Sequence, residues 1–176
     1  MQPTLSEYLE GLANRYRLHY DVETNKTISG QHVDIYALSV IDHYRNVLTK
    51  EIKMDNYQER EIILVRGFED LVEEREMNNF SQFLTKVTRE MVIPSFDVMS
   101  HTINGIIVSA QGFSPETVIA TQRFRYSKTF FLGIKGWCDV RLLLIDIKNS
   151  SVFCNAKGRE VAPVYSFQKR VGGGEN

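Results

Sequence analysis

Residues 33–41 read VDIYALSVI, and the prediction of a β-sheet starts from this segment. Its β-branched and aromatic residues predict a strand. Further strand signals lie at 18–23, 47–54 and 61–68, with short polar connections between them. Consecutive strands joined by short connections favour an antiparallel meander. The segment 61–68 is almost continuously apolar, which is typical of a strand buried on both faces.

Helical patterns lie on both sides of this meander. Ser6 as an N-cap predicts a helix over 6–17, and an apolar stripe at helical spacing predicts a second over 80–91, ended by Pro94. Ser114 followed by Pro115 begins a third, to about residue 124. Further strands are predicted at 102–110, 129–134, 140–147, 152–153 and 161–165. The fold class is therefore α+β, with a mainly antiparallel, possibly mixed sheet of about six to eight strands and three main helices.

Length and composition favour one domain. The chain has 176 residues, of which 43% are hydrophobic and 24% charged, close to the globular average. We expect a single domain over 1–170 and a flexible glycine-rich tail over 171–176. The N-terminus lacks a secretory signal and no apolar run is long enough to cross a bilayer, so the prediction is a cytoplasmic protein with no membrane partner.

The two cysteines, Cys138 and Cys154, are predicted to be unbridged. A hairpin turning at Asn149-Ser150 would place Cys138 opposite Val161 and Cys154 opposite Ile145, too far apart for a disulfide. Neither cysteine lies among clustered histidines, and no metal site is expected from them.

One constellation could be catalytic. The predicted order α-β-β-β-α-β is that of a nuclease core that carries Asp on one strand and Glu-x-Lys on the next. Asp34 and Glu51-Ile52-Lys53 fit this spacing, with Glu51 and Lys53 on one face of a strand. Two carboxylates would hold Mg²⁺, which activates water, while the lysine offsets phosphate charge. The competing interpretation is a solvated sheet face with weak ion pairs. The hypothesis of a metal-dependent nuclease is the only one here that requires a cofactor.

Charge is unevenly distributed although the net charge is −1. Residues 123–176 contain ten Lys or Arg and four Asp or Glu. This basic part could bind a protein, a small ligand or, through its cations, a nucleic acid. The aromatic and basic side chains typical of binding hot spots are Arg123, Arg125, Tyr126, Lys128, Lys135, Trp137 and Arg141.

Several segments carry a family resemblance. The most specific is Gly133-Ile134-Lys135-Gly136-Trp137, and others are 33–37, 48–50, 99–101 and 155–161. They resemble a family of small cytosolic bacterial proteins, frequent in spore-forming Gram-positive bacteria, whose domain has no assigned function. The resemblance implies a single compact domain and no established activity, cofactor or site residue. The prediction is therefore a non-enzymatic binding or accessory domain, with the nuclease as the alternative; partner identity and oligomeric state stay open.

Overall fold

The computed structural model describes residues 2–43, 57–93, 95 and 98–167. A single seven-stranded mixed sheet organises this part of the chain into one α+β domain. The elements are α1 (Leu5–Tyr16), β1 (Asp21–Ile28), β2 (Gln31–His43), β3 (Tyr57–Phe68), α2 (Glu74–Met91), β4 (Val98–Ser109), α3 (Pro115–Arg123), β5 (Ser127–Thr129), β6 (Trp137–Asp146), β7 (Ser151–Cys154) and α4 (Ala162–Tyr165).

The strands run in the spatial order β1-β2-β3-β4-β6-β5, and β7 also pairs with β6. The antiparallel meander is confirmed for β1, β2 and β3. The centre of the sheet is parallel instead, because the chain returns from β3 to β4 through α2 and from β4 to β6 through α3. A parallel return needs such a crossover, and crossover helices cover a face of the sheet.

Helices cover both faces of the sheet. The buried face of α2, which includes Phe80, Phe83 and Leu84, packs on one face together with α3. Leu12 and Tyr16 of α1 pack on the other face together with Tyr165 of α4. Residues 62–65 of β3 are all buried between these layers, as their apolar run predicts. No helix of the described segments is both long and apolar enough to span a bilayer.

Side-chain hydrogen bonds cap the N-terminal ends of α1 and α3. Ser114 caps α3, as predicted, since its side chain accepts a hydrogen bond from the backbone N–H of Thr117. The cap of α1 is Thr4 rather than Ser6, because Thr4 and Glu7 form a reciprocal capping box.

Several element predictions are wrong in detail. The stretch 129–134 is a strand only to Thr129, after which a left-handed turn ends the pairing. The stretch 161–165 is helical, because Pro163 suits the first turn of a helix and the far edge of β6 is already paired with β7. Cys154 lies opposite Leu143 rather than Ile145. Both cysteines are free, as predicted. The predicted strand 47–54 and the tail 171–176 lie outside the described residues.

Candidate functional site

The nuclease hypothesis can be followed only through Asp34. Its Oδ2 accepts a hydrogen bond from the backbone N–H of Gly67 at 2.8 Å, which joins β2 to β3. Its Oδ1 lies 3.5 Å from Nε2 of His32. Glu51 and Lys53 lie outside the described residues, so whether they converge on Asp34 stays a prediction. Among the side chains that are described, no three His, Cys, Asp or Glu residues form a group that could hold a metal ion.

A histidine and a cysteine meet in the sheet in a way that the sequence does not reveal. His101 and Cys138 are register partners on β4 and β6, and both are buried. Burial raises the pKa of the Cys138 thiol to about 12. Burial, and then the charge of Arg60, lowers the pKa of His101. A protonated thiol beside a neutral imidazole is not an activated nucleophile, so this pair fits a role in packing.

Three large apolar side chains that are well exposed, among them the most exposed one of the described residues, belong to the turn that follows β5. Phe131, Leu132 and Ile134, here called the apolar tip, are 65%, 101% and 66% exposed. Phe131 and Leu132 have φ angles of 49° and 54°, in the left-handed region that disfavours side chains with a Cβ. This backbone conformation turns the chain out of the sheet, so the tip projects into solvent.

Backbone hydrogen bonds close this turn at its base. The N–H of Phe130 donates to the carbonyl of Gly136 at 2.9 Å, and the N–H of Gly133 donates to the carbonyl of Phe130 at 3.0 Å. Gly133 and Gly136 supply further left-handed positions, with φ of 91° and 83°. Trp137 begins β6 directly after the turn, pairs with Thr129 and is 39% exposed. The tip is therefore held out by a closed turn.

Two cations lie over rings of this turn and two more lie at the end of α3, and we call the four of them the basic flank. Lys135 places Nζ 4.2 Å from the ring centroid of Phe131, and Lys128 places Nζ 5.2 Å from that of Phe130. Arg125 donates to the carbonyls of Gln122 and Phe124. Exposed Arg123 ends α3 and completes the flank. Residues 123–137 contain these four cations and no Asp or Glu, so this segment is positively charged, although Arg123 lines a groove together with Glu74 and Glu116.

Two predicted binding residues lie elsewhere. Tyr126 is half-buried against the core beneath α2 and α3. Arg141 lies on the α1 face of the sheet, where one guanidinium nitrogen is 2.6 Å from a carboxylate oxygen of Glu160 and another is 3.5 Å from Glu61. Lys128 and Lys135 thus lie on the turn, whereas Arg123 and Arg125 lie at and just after the end of α3, and Arg141 lies on the α1 face of the sheet. The turn also exposes the tip residues that the predicted strand 129–134 concealed. The flanking glycines were the signal that could have revealed that turn.

Comparison with known protein families identifies the family of this chain. The family model described as "Domain of unknown function (DUF8052)" matches residues 4–167. No curated protein and no solved structure matches the chain. The resemblance is therefore confirmed at the level of a domain of unknown function, while bacterial origin and the Gly-x-Lys-Gly-Trp block as a family feature stay predictions.

Proposed function

The chain belongs to the DUF8052 family, a domain family of unknown function, and we propose that it is a non-enzymatic binding domain. Its proposed partner is a protein with an acidic surface and an apolar recess, which docks on the apolar tip and the basic flank. The observation that carries the proposal is that Leu132 is fully exposed at the end of a closed turn.

The apolar tip is costly to maintain in the isolated protein. Each non-glycine residue in the left-handed region costs about 1–2 kcal/mol, and Phe131 and Leu132 adopt it in succession. Exposed Phe and Leu side chains also forgo the roughly 1.5–3 kcal/mol that burial of each would contribute. Insertion into a recess of a partner would recover that second contribution, which supports a docking role.

Charge favours a particular kind of partner. The basic flank would attract an acidic surface and steer its approach. Lys135 lies over the exposed ring of Phe131, so one partner surface could contact this cation and this ring together. Aliphatic Leu132 and Ile134 suit an apolar recess of a protein, and the exposed rings of Phe131 and Trp137 make base stacking by a nucleic acid the alternative that the test must address.

Photocrosslinking tests this proposal. We would place p-benzoylphenylalanine at position 132 in cells that naturally express the protein, with position 71 as the matched control, since Leu71 is 50% exposed on a different connection. A specific protein crosslinked from position 132 and absent from position 71 is expected. The partner is then purified and its affinity for the domain is measured as a function of salt.

Variants of the tip separate docking from folding. In the double variant Phe131→Asn/Leu132→Asn the apolar surface is lost, while asparagine tolerates the left-handed conformation. Stability is expected to be unchanged or higher, and partner affinity to fall at least tenfold. In the double variant Lys128→Gln/Lys135→Gln, the affinity for the partner should depend less on the salt concentration. Equal crosslinking from both positions, or binding to anionic vesicles or an oligonucleotide in place of a protein, would overturn the proposal.

The second candidate is the metal-dependent nuclease, and one observation favours it. The chain opens with the element order α1-β1-β2-β3-α2-β4, the order predicted for that core, and Asp34 lies on the second strand. The described part of the third strand begins at Tyr57, after Glu51 and Lys53 in the chain. Incubation with plasmid and Mg²⁺ or Mn²⁺ tests it. Cleavage lost in Lys53→Ala would support a nuclease, and absence of cleavage with every metal would exclude it.

A further inference from the structure

A groove of about 670 Å³ lies beside α2, away from the features used so far, and we call it the α2 groove. It is bounded by α2, by the turn that joins β1 to β2 and by the C-terminal end of β3. Cationic and amide side chains line it, and among the described residues no Asp or Glu does so. Its polar side chains include His32, Arg66, Asn79, Gln82, Lys86 and Arg89. A solute in this groove therefore meets positive charge and hydrogen-bond donors.

One side of α2 supplies four of these side chains. Asn79, Gln82, Lys86 and Arg89 are spaced i, i+3, i+7 and i+10, which places them on one side of the helix, and all four are exposed. The helix itself is held in place by its buried face. Lys86 also donates from Nζ to the carbonyl of Ser29 at 2.9 Å, which ties α2 to the turn between β1 and β2. The groove is thus built on packed elements, as a precise binding site requires.

The positive charge of the α2 groove is only partly neutralised. Nζ of Lys86 lies 3.7 Å from Oε1 of Glu90, in an exposed pair. Arg66 and Arg89 have no carboxylate within ion-pair distance in the part of the chain that the structure describes. Arg66 is also half-buried, so water solvates its charge less well than it solvates an exposed arginine. Two guanidinium groups are therefore available to an anion.

The anion that suits these charges is a phosphate monoester. It carries about −1.5 to −2 charges at pH 7 and offers three strong acceptor oxygens, whereas a carboxylate carries a single charge. Guanidinium groups bind phosphate through two parallel hydrogen bonds, and the ammonium group of a lysine adds a point charge. His32 contributes less, because its Nε2 already lies 3.5 Å from Oδ1 of Asp34.

The rest of the groove favours a hydroxylated body for this ligand. The amides of Asn79 and Gln82 each donate and accept hydrogen bonds, as hydroxyl groups do. Phe83 is the one apolar side chain among the described lining residues, and it is only 2% exposed. A lipid chain or a nucleotide base would therefore find no apolar side chain to pack on, whereas the hydroxyl groups of a sugar would find polar partners.

We propose that the α2 groove binds the phosphate monoester of a sugar or of another small polyol. Arg66, Lys86 and Arg89 hold the phosphate group, and the amides of Asn79 and Gln82 contact the hydroxyl groups. The site is independent of the apolar tip, so loss of partner docking in the tip variants leaves binding of the phosphate ester unchanged.

The test compares two probes of similar shape and different charge. Glucose 6-phosphate carries close to two negative charges near pH 7.5, and glucose 6-sulfate carries one. Each is titrated into the ¹⁵N-labelled full-length protein, and the backbone, side-chain amide and arginine Nε signals are followed by NMR. Glucose 6-phosphate is expected to cause saturable shifts that include the side-chain amides of Asn79 and Gln82. Its affinity should be at least tenfold above that of the sulfate ester and above that of adenosine monophosphate.

Two neighbouring positions on α2 provide a matched pair of variants. Asn79→Glu adds a carboxylate to the groove and should lower the affinity for glucose 6-phosphate at least tenfold. Asn78→Glu is the control and should bind normally, because Asn78 is also exposed but lines a different groove between α2 and α3. Both variants should fold, since glutamate has a higher helix propensity than asparagine.

Arg66→Gln should also weaken binding at least tenfold while the amide spectrum stays that of the folded protein. No saturable shift with glucose 6-phosphate, equal affinity for the phosphate and sulfate esters, or equal effects of Asn79→Glu and Asn78→Glu would each overturn the proposal. Tighter binding of adenosine monophosphate than of glucose 6-phosphate would overturn it as well, because a base would then contribute where hydroxyl groups are proposed to bind.

Discussion

Gly105 of β4 makes possible the close packing of α2 on the sheet, and Gly105→Ala tests this contact. An ideal Cβ at this position would lie 2.2 Å from Cδ1, 2.8 Å from Cδ2 and 3.0 Å from Cγ of Leu84. Carbon atoms in van der Waals contact are about 3.5–4.0 Å apart. Because the branch carbon of Leu84 is itself too close, rotation of its methyl groups does not relieve the contact. Leu84 is fully buried, so the helix or the side chain must move.

The magnitude follows from this geometry. Overpacking of a core costs typically about 1–3 kcal/mol, and we expect Gly105→Ala to lower the free energy of unfolding by about 3 kcal/mol. Leu84→Ala alone should cost about 2–5 kcal/mol through lost burial and a cavity. In the double variant the clash is absent and the new methyl group partly refills the space. Its cost should therefore be no greater than that of Leu84→Ala.

Urea unfolding followed by circular dichroism measures these values as a double-mutant cycle. The expected coupling energy is at least about 2 kcal/mol, whereas independent sites add within about 0.5 kcal/mol. Gly11→Ala is the matched control, because no atom lies within 4 Å of its ideal Cβ and alanine stabilises a helix interior by roughly 0.5–1 kcal/mol. Additive costs in the cycle, or a neutral Gly105→Ala, would refute the packing argument.

Three further predictions concern buried polar groups, thiols and a helix cap. Asn155 is fully buried and its amide pairs with three backbone groups, so Asn155→Ala should cost about 3 kcal/mol or more in urea unfolding; a loss below about 1 kcal/mol would contradict this. Burial raises the pKa of Cys138 to about 12, and Cys154→Ser leaves Cys138 as the one thiol. This variant should not react with Ellman's reagent at pH 8 until denaturant is added. Rapid labelling of the native variant would show that Cys138 is accessible. The backbone N–H of Thr4 lowers the pKa of Glu7 below its ordinary 4.5. The Glu7 carboxylate therefore stabilises the fold fully above pH 4.5, and this stabilisation is lost as the pH falls through the lowered pKa. Glu7→Gln should therefore be less stable than the natural chain at pH 7 and approach it toward pH 3 in urea unfolding; a constant difference would be inconsistent with the cap.

The candidate surfaces show how far the sequence could be followed. The basic flank was predicted residue by residue, because a run of cations without acids is visible in the chain itself. The exposure of Leu132 was not, since an apolar run before a glycine fits a strand as well as a turn. The contact of Glu61 with Asn104 and Arg141 joins residues 43 and 80 positions apart, and no local pattern encodes such a contact.

Local conformations could be predicted from the amino-acid sequence: the helical stripe of α2, the Ser114-Pro115 start of α3 and the buried apolar run of β3. Each depends on periodicity, capping or backbone restriction within a few residues. Three features depend on the packing of the whole domain: β3, β4 and β6 run parallel, His101 lies beside Cys138, and residues 131–134 turn away from the sheet. Which strands become neighbours depends on the burial of whole sheet faces against α1 and α2. The free energy of this burial is gained only when the layers assemble, because no segment can bury its apolar face alone.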